Sequence, residues 1–493
     1  MLGRPRHDPI REPVRFVDER LGAAPFLKSA LRYVFPDHWS FMLGEIALYA
    51  FLVLVGTGIF LAFWYVPSDD RVTYAGSYLP LLGREMGRQY QSVMTLVFEV
   101  PAGNLIRQTH HWAADVFVMA IVLHLVRIVV TGAFRKPREI NYLIGVTMLG
   151  LAILEGFLGY SLIDDLLSGM GLAIAYAVLM AVPFVGAPFA FLVWGGQYPG
   201  STHFWARLEI THVFLIPLAI AALLTLHLTQ IARQHHTQFR GALGRRADRE
   251  VVGTPMWPAY ALRSIGLLLI VAGILFLLGG LVQINPIWQW GPYETYLSSN
   301  GAQPDWYLGW LIGALRLMPP LEIHPGGYTV VPNPFWGGAL FPLIVFGLLY
   351  AWPWIDKRRW SDRATHHVLD RPRDNPRRTA AFAAFLTWVF TAFVAGATDR
   401  FYFRSFIPYE AQVWFFRGFW VLGPFVVYAI VRRLCEDLRA REAHPLRRWS
   451  GTVVTRTAIG GHAPVEGADG DGAGERPPAD AATAAAIRRT TRG

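Results

Sequence analysis

Two long apolar segments decide the fold: residues 103–132, GNLIRQTHHWAADVFVMAIVLHLVRIVVTG, and residues 207–236, RLEITHVFLIPLAIAALLTLHLTQIARQHH. Each carries a spaced pair of histidines, His110 and His124 in the first and His212 and His227 in the second. An α-helix rises about 1.5 Å and turns about 100° per residue, so spacings of about fourteen or fifteen residues span roughly 21–22 Å. The drift around the axis is only about 40–60°. Each helix therefore presents two imidazoles on nearly one face, near opposite edges of a bilayer.

Two such helices packed side by side would bring the four histidines together in two levels. Each level can then hold one haem between two axial ligands. A single histidine on an apolar helix is more often a core residue, but ionisable groups inside a bilayer are costly and usually functional. Gly44 and Gly58, and likewise Gly145 and Gly159, repeat the fourteen-residue spacing in two other apolar segments. Small residues there let a flat macrocycle or a neighbouring helix approach the backbone.

The composition excludes a soluble protein. Of 493 residues, 53% are hydrophobic and 14% aromatic, and runs of about 20 apolar residues recur. We expect an all-α integral membrane protein with eight transmembrane helices, at roughly 42–64, 108–131, 142–162, 207–231, 261–284, 335–355, 379–398 and 411–433. A further apolar segment, about 171–194, contains Pro183, Gly186 and Pro188 and predicts broken helices along the surface rather than a ninth span.

Basic residues alternate between the loops. They are concentrated in 132–140, 232–260 and 356–378, whereas the long 285–332 loop has only Arg316. The positive-inside rule then puts the basic loops and both termini in the cytoplasm. The net charge of +10 is thus explained by membrane topology, and we expect no nucleic-acid partner.

The segments divide into four parts. We expect a cytoplasmic N-terminal segment, 1–39, with an interfacial helix at about 21–36 and no cleavable signal peptide. A dihaem-binding four-helix core at 40–250 and a C-terminal four-helix half at 251–435 follow. The cytoplasmic tail, 436–493, should be disordered after about 460 because it is rich in Gly, Ala, Pro and Asp. Cys435 is the only cysteine, which excludes an internal disulfide, an iron–sulfur site and a covalently attached haem.

Several motifs resemble cytochrome b, the membrane core of quinol–cytochrome c reductases, over about residues 35–435. They are TGIFLAFWY at 57–65, IRxxHxW from residue 106, WGG at 194–196 and PDWY at 304–307, where the family carries PEWY or a close variant. The fifteen-residue histidine spacing resembles chloroplast-type and some bacterial members. GYSLIDDLLSG at 159–169, with Ile163 in place of a proline, resembles the bacterial branch whose partner is a dihaem cytochrome c.

The resemblance implies a subunit that oxidises quinol at the outer face. One electron would pass through two b haems to a quinone at the inner face, contributing to proton translocation. His110 with His212 would ligate the outer, lower-potential haem, and His124 with His227 the inner, higher-potential haem. His111 is the competing ligand beside His110, but it points about 100° away.

Further residues take roles from the same resemblance. Arg107 and Arg127 would pair with haem propionates, the alternative being interfacial arginines that snorkel. Asp305 stands where the family has a glutamate and would accept a quinol proton, although it is one methylene shorter. Tyr307 would hydrogen-bond or gate the proton path. The residues that match the lining of the quinol pocket are Tyr160 and Phe157.

A quinone reduction site is expected near the inner haem. Its candidates are Arg233, His235 and His236, which could equally form a basic edge facing membrane lipids. The resemblance implies a Rieske iron–sulfur subunit and a cytochrome c subunit, dihaem in this branch, as partners, with an aa-type oxidase in a supercomplex. It also implies menaquinone as the quinone, a homodimer and a bacterial plasma membrane.

Two other classes of protein remain to be weighed. A dihaem anchor for a soluble dehydrogenase would have four or five spans and no second apolar half, so PDWY and spans five to eight argue against it. A transporter using membrane histidines for protons would bind no haem.

Overall fold

The structure is a computed structural model of the chain. It describes residues 15, 16, 18–20, 22, 31, 33–36, 38–196, 198–201, 203–238, 253–299, 303–360, 364–443, 454–456 and 462–464. The expected disorder after about residue 460 concerns residues that lie almost entirely outside these ranges. The chain divides into two units, Met1–Glu436 and Asp437–Gly493, and in the second unit Val454–Arg456 pairs with His462–Pro464.

Eight helices within the described ranges are long and apolar enough to cross a membrane, so the expected all-α, eight-span fold is confirmed. Each begins or ends within a few residues of the span expected from the sequence. The helices are α1 Trp39–Ala62, α2 Gly103–Val130, α3 Glu139–Ser161, α4 Phe204–Gln234, α5 Met256–Leu281, α6 Phe335–Lys357, α7 Pro376–Ala395 and α8 Tyr409–Glu442.

The segment between α3 and α4 is broken, as expected from its prolines and glycines. It forms two shorter helices, Leu166–Met180 and Gly186–Trp194. Asp165 caps the first of them, because its Oδ1 accepts a hydrogen bond from the Ser168 amide at 2.8 Å. The remaining described helices are shorter, Arg88–Phe98 and Gly309–Leu317 among them.

The interfacial helix expected at about 21–36 is wrong at its C-terminal end. Val34–Phe35 forms a short strand that pairs antiparallel with Thr254–Pro255. Pro36 explains this locally, since a residue before proline is disfavoured in the helical region. Most of the rest of that stretch lies outside the described residues.

Small side chains bring the first helices together. Ala47 and Ala50 of α1 are buried against Ala113 and Ala120 of α2. Helix α2 also packs on α5, and α3 packs on α4, so the histidine-bearing helices α2 and α4 each have a close neighbour.

The long loop after α5 returns to the end of α3. The Tyr293 amide donates to the Asp164 carbonyl at 3.0 Å, and the Leu166 amide donates to the Gly291 carbonyl at 2.9 Å. These contacts bring the following PDWY segment, 304–307, beside α2 and α3.

Candidate functional site

His110 on α2 and His212 on α4 face each other. Their ring centroids are 6.3 Å apart, and the ring planes cross at 80°. Histidine binds zinc through metal–nitrogen bonds of about 2.0–2.1 Å. Two such bonds, with the distance from nitrogen to ring centre in each imidazole, give an expected centroid separation of about 6 Å for two rings that share one metal ion. The spacing therefore fits one metal ion between two axial imidazoles, as in a bis-histidine haem.

The Nδ1 atoms of these two rings are both hydrogen bonded. Thr57 Oγ1 lies 2.9 Å from Nδ1 of His110, and Glu155 Oε1 lies 2.9 Å from Nδ1 of His212. Because one ring nitrogen is engaged in each case, Nε2 is left as the metal-binding nitrogen. We call this pair of residues the first level.

His124 and His227 form the second level. The two side chains are close enough to interact electrostatically. Both Nδ1 atoms are buried and lack a hydrogen-bond partner within the part of the chain that the structure describes. The two levels are thus built from the same helices but differ in how their imidazoles are held.

The four spaced glycines each lie against one of these histidines. A Cβ atom built on Gly58 would be 3.2 Å from Cε1 of His110, and one on Gly44 would be 3.3 Å from Cε1 of His124. On α3, a Cβ on Gly159 would be 2.5 Å from Cε1 of His212, and one on Gly145 would be 3.8 Å from Cε1 of His227. The shared fourteen-residue spacing therefore has a geometric cause, since each glycine leaves room for one imidazole.

The fifteen-residue spacing on α4 is accommodated by a π turn at Thr211–Leu215, which contains His212. A π turn holds one more residue than an α turn. Because the π turn holds the extra residue, the rotation about the α4 axis from His212 to His227 equals that of about fourteen α-helical residues. His212 and His227 consequently return to the same face, as His110 and His124 do on α2.

Two arginines at the histidine levels have buried, unsatisfied nitrogens. Nε and Nη1 of Arg107, and Nε and Nη2 of Arg127, have no hydrogen-bond partner among the described residues. Arg107 Nη2 donates to the Asn285 carbonyl at 3.2 Å, and the Arg127 guanidinium lies 4.1 Å from the ring centre of Phe41. Because buried guanidinium nitrogens without an acceptor are costly, both sites fit an anionic group such as a haem propionate.

Asp305 of the PDWY segment lies between two side chains and is largely, though not fully, buried. Its Oδ1 lies 2.6 Å from Nε2 of His111, and the Tyr307 hydroxyl donates to its Oδ2 at 2.8 Å. Burial opposes ionisation, but His111 and the hydrogen bond from Tyr307 outweigh it and hold the pKa of Asp305 below its usual range. The structure thus pairs the expected ligand competitor, His111, with the expected proton acceptor.

Tyr307, Tyr160 and Phe157 lie around the same region. Burial and the neighbouring Asp305 carboxylate raise the pKa of Tyr307 well above its usual value, so the phenol is a hydrogen-bond donor. A cavity lined by His110, His111, Glu155, Gly156, Tyr160, Asp305 and Tyr307, among others, joins the first level to the PDWY segment.

A second cavity, of about 510 Å³, is also lined by Tyr160. Its walls come from the helix Leu166–Met180, from Pro304, and from the Arg316–Asp399 ion pair. Tyr160 and Phe157 contact the first of these walls, because a Cβ on Gly171 would meet their rings at 3.4 Å and 3.9 Å. The size and the mostly apolar lining suit a ring-shaped ligand with an apolar tail.

The three candidates for quinone reduction have different surroundings. Arg233 and His235 are exposed, whereas His236 is half-buried against Phe35 and Phe41. The Tyr33 hydroxyl lies 3.0 Å from Nδ1 of His236. Burial, followed by the positive charges of Arg127 and Arg138, lowers the pKa of His236 to about 4. His236 therefore lies on the second-level side as a neutral ring. Arg233 is exposed, and the exposed ring of His235 stacks on Tyr33 with ring centroids 5.6 Å apart.

Sequence reasoning missed four groups at these sites: Glu155 beside His212, Asp115 one turn after His111, the Arg316–Asp399 pair and Glu45. The Glu45 carboxylate accepts hydrogen bonds from Tyr49, Tyr260 and Ser264. A usable signal existed for the three carboxylates within spans, because an acidic side chain in an apolar run is rarely incidental. Arg316 was also conspicuous as the lone basic residue of its loop.

The chain is similar in sequence to known proteins over most of its length. Residues 115–292 match a family model described as "Cytochrome b(N-terminal)/b6/petB". The cytochrome bc1 complex cytochrome b subunit of Streptomyces coelicolor is 40% identical, over 87% of this chain and 78% of that protein. Those of Corynebacterium diphtheriae, 42% identical over 89% and 81%, and Mycobacterium tuberculosis, 43% identical over 89% and 79%, are similar over comparable lengths.

Among solved structures, a chain of a hyperthermophilic respiratory Complex III shares the fold, with a TM-score of 0.61 at 19% identity. The match covers 86% of this chain and 100% of that one. This likeness shows the fold, an eight-span helical membrane protein like that respiratory complex chain. With these identities and coverages, the chain belongs to the cytochrome b family, as the cytochrome b subunit of a bc1-type complex. The class carries haem b and quinone binding, quinol oxidation and electron transfer within a quinol–cytochrome c oxidoreductase.

Proposed function

We propose that this subunit holds two b haems, one between His110 and His212 and one between His124 and His227. The observation that carries the proposal is the 6.3 Å separation of the facing rings of the first level, with a glycine beside each of the four imidazoles. The unsatisfied nitrogens of Arg107 and Arg127 supply partners for propionates. Bound there, the haems would carry single electrons across the membrane.

The first level is proposed to lie toward the outer face and the second toward the inner face. The support is the distribution of basic residues, which favours a cytoplasmic location for the 132–140 loop that follows α2. Helices α2 and α4 then both run inward from their first histidine. The same rule favours a cytoplasmic location for both termini. The resemblance to the bacterial branch of the family implies a bacterial plasma membrane.

Quinol oxidation is proposed at the two cavities that meet at Tyr160. Asp305 is held as a carboxylate, so it is ready to accept a proton from a quinol hydroxyl. Tyr307 orients that carboxylate through its 2.8 Å hydrogen bond. His111 gives Asp305 a polar partner inside the protein, at 2.6 Å, and both side chains line the first cavity.

Quinone reduction is proposed at the second-level side, where His236 is the main candidate. His236 is neutral, contacts Tyr33 and lies beside Phe41, over which Arg127 sits. Arg233 and His235 would act at the exposed edge of the site, by attracting protons and anionic lipid. Proton uptake here and release at Asp305 would together contribute to proton translocation.

The proposed partners are those that membership of the cytochrome b family implies. Cys435 is its only cysteine, so an iron–sulfur centre and any covalently bound haem must come from other subunits. We propose a Rieske iron–sulfur subunit and a dihaem cytochrome c, association with an aa-type oxidase, and a homodimer. Menaquinol is the proposed substrate because the motif at 159–169 resembles the branch that uses it.

A reduced-minus-oxidised spectrum and a haem assay of the purified subunit test the dihaem proposal. Two non-covalent b haems per chain are expected, and His212→Leu should remove one of them while leaving the other. His203→Leu, at an exposed histidine just before α4, is the matched control and should keep both. Retention of both haems in His212→Leu would contradict the ligand assignment, and a haem-free parent would favour a transporter.

A further inference from the structure

Among the described residues, His212 is the one of the four imidazoles in the two levels whose ring contacts a carboxylate. Glu155 Oε1 lies 2.9 Å from Nδ1 of His212, and the Glu155 carbonyl oxygen lies 3.2 Å from the same atom. Both side chains are about one-sixth exposed. The Nδ1–H of His212 therefore donates to an acidic side chain of α3 as well as to the backbone.

The other three histidines are held differently. Thr57 accepts from Nδ1 of His110 at 2.9 Å while its own hydroxyl donates to the Val53 carbonyl at 2.7 Å, so that partner is neutral. Nδ1 of His124 and of His227 has no hydrogen-bond partner within the described residues. The carboxylate contact therefore distinguishes the first level from the second.

Burial of Glu155 at this position is costly for folding. Its Oε2 atom is buried and has no hydrogen-bond partner among the described residues. A carboxylate inside a membrane span normally needs a cation or several donors, and such groups are usually functional. The ring of His212 is the polar partner that Glu155 does have.

The direction of its effect follows from charge. A carboxylate that accepts the Nδ1–H of a ligating histidine makes the imidazole a stronger base toward the metal. A more basic ligand and a nearby negative charge both favour the oxidised, more positive form of the iron. The reduction potential of that haem is lowered as a result.

We propose that Glu155 is a positioning residue that lowers the potential of the first-level haem by accepting the Nδ1–H of His212. The inference rests on the proposed ligation by His110 and His212. It names a residue that would make the two haems unequal, because neither second-level imidazole contacts a carboxylate in the part of the chain that the structure describes.

Glu155→Gln is the direct test, measured by potentiometric titration of both b haems. The amide can still accept from Nδ1–H but carries no charge, so the first-level haem should become about tenfold easier to reduce, which is about 59 mV for a one-electron couple. The second-level haem should keep its potential. The haem content of the same samples tests the proposed ligation separately. If Glu155→Gln binds two haems and their potentials are unchanged, the role of Glu155 is overturned while the ligation by His110 and His212 stands.

Glu209→Gln is the matched control. It removes the same charge three residues before His212, and no hydrogen bond joins Glu209 to that ring in the described structure. An equal rise in Glu209→Gln would show a diffuse charge effect and overturn the proposal. If Glu155→Gln loses the first-level haem, the potential is measured in Glu155→Asp instead. That variant keeps the negative charge but moves the carboxylate oxygen away from Nδ1 of His212. A smaller rise in that variant supports the role, and an unchanged potential rejects it.

Discussion

Replacing Gly159 with alanine should disrupt the first level far more than the same change at Gly145 disrupts the second. A Cβ on Gly159 would lie 2.5 Å from Cε1 and 2.9 Å from Nε2 of His212, whereas ordinary contacts begin at 3.4 Å. The imidazole would have to move by about 1 Å, and metal–ligand distances tolerate only about 0.2 Å. The Cβ on Gly145 would be 3.8 Å from His227, which is an ordinary contact.

The energies point the same way. Alanine in a helix gains about 1 kcal/mol over glycine, and overpacking costs about 1–3 kcal/mol. Gly145→Ala should therefore be neutral or slightly stabilising, while Gly159→Ala should lose up to about 2 kcal/mol and most of the first-level haem. Haem content per chain and the redox titration of each variant measure this. Equal haem content in the two variants would refute the glycine–imidazole packing.

Two further predictions concern carboxylates outside the spans. Asp305→Asn should keep both haems but slow quinol–cytochrome c electron transfer by about 100-fold or less, and Asp305→Glu should restore much of the rate. If Asp305→Asn instead turns over at the parent rate between about pH 5.5 and 8.5, Asp305 does not accept the proton. The PDWY loop would then only shape the pocket. Burial raises the pKa of Asp165 to about 6, so the folded chain keeps a proton that the unfolded chain releases near pH 4, and stability falls as the pH rises between these values. Asp165→Asn keeps the hydrogen bond to the Ser168 amide but cannot titrate. The variant should therefore lack the fall in the free energy of unfolding, about 1.4 kcal/mol, that the parent shows between about pH 5 and 7.5. The same pH dependence of thermal stability in parent and variant would show that Asp165 does not cause it.

The eight spans were predictable because the bilayer imposes them locally. An apolar stretch of about 20 residues has to form a helix in a membrane, whatever its neighbours are. The placement of His110 and His124 on one face of α2 was predictable for the same reason, since helical geometry alone determines which residues share a face. The resemblance to cytochrome b then rested on short motifs whose order along the chain is itself specific.

Contacts between distant segments were not predictable from periodicity. His111 and Asp305 are 194 residues apart in sequence, and Glu155 and His212 are 57 apart. The strand at Val34–Phe35 is of the same kind, because its partner lies after α4. Such pairings depend on how helices and loops pack, which composition and spacing do not encode.

Helix arithmetic was incomplete at one further point. The separation of His212 and His227 implies a drift of about 60° in a uniform α-helix, which is larger than that on α2. The π turn at Thr211–Leu215 removes the difference. A spacing of fifteen is therefore evidence for a local widening of the helix rather than for a looser histidine pair.

Adjacent residues on α2 connect the proposed electron and proton paths. His110 faces His212 across the first level, whereas His111, turned about 100° around the helix, contacts Asp305. With the ligation and proton acceptance proposed above, one helical turn would position both the haem ligand His110 and His111, the partner of the proton acceptor Asp305. A change that rotates α2 would then disturb both haem ligation and the contact with Asp305, whereas Asp305→Asn would leave haem ligation intact and impair only the acceptance of the quinol proton on which turnover depends.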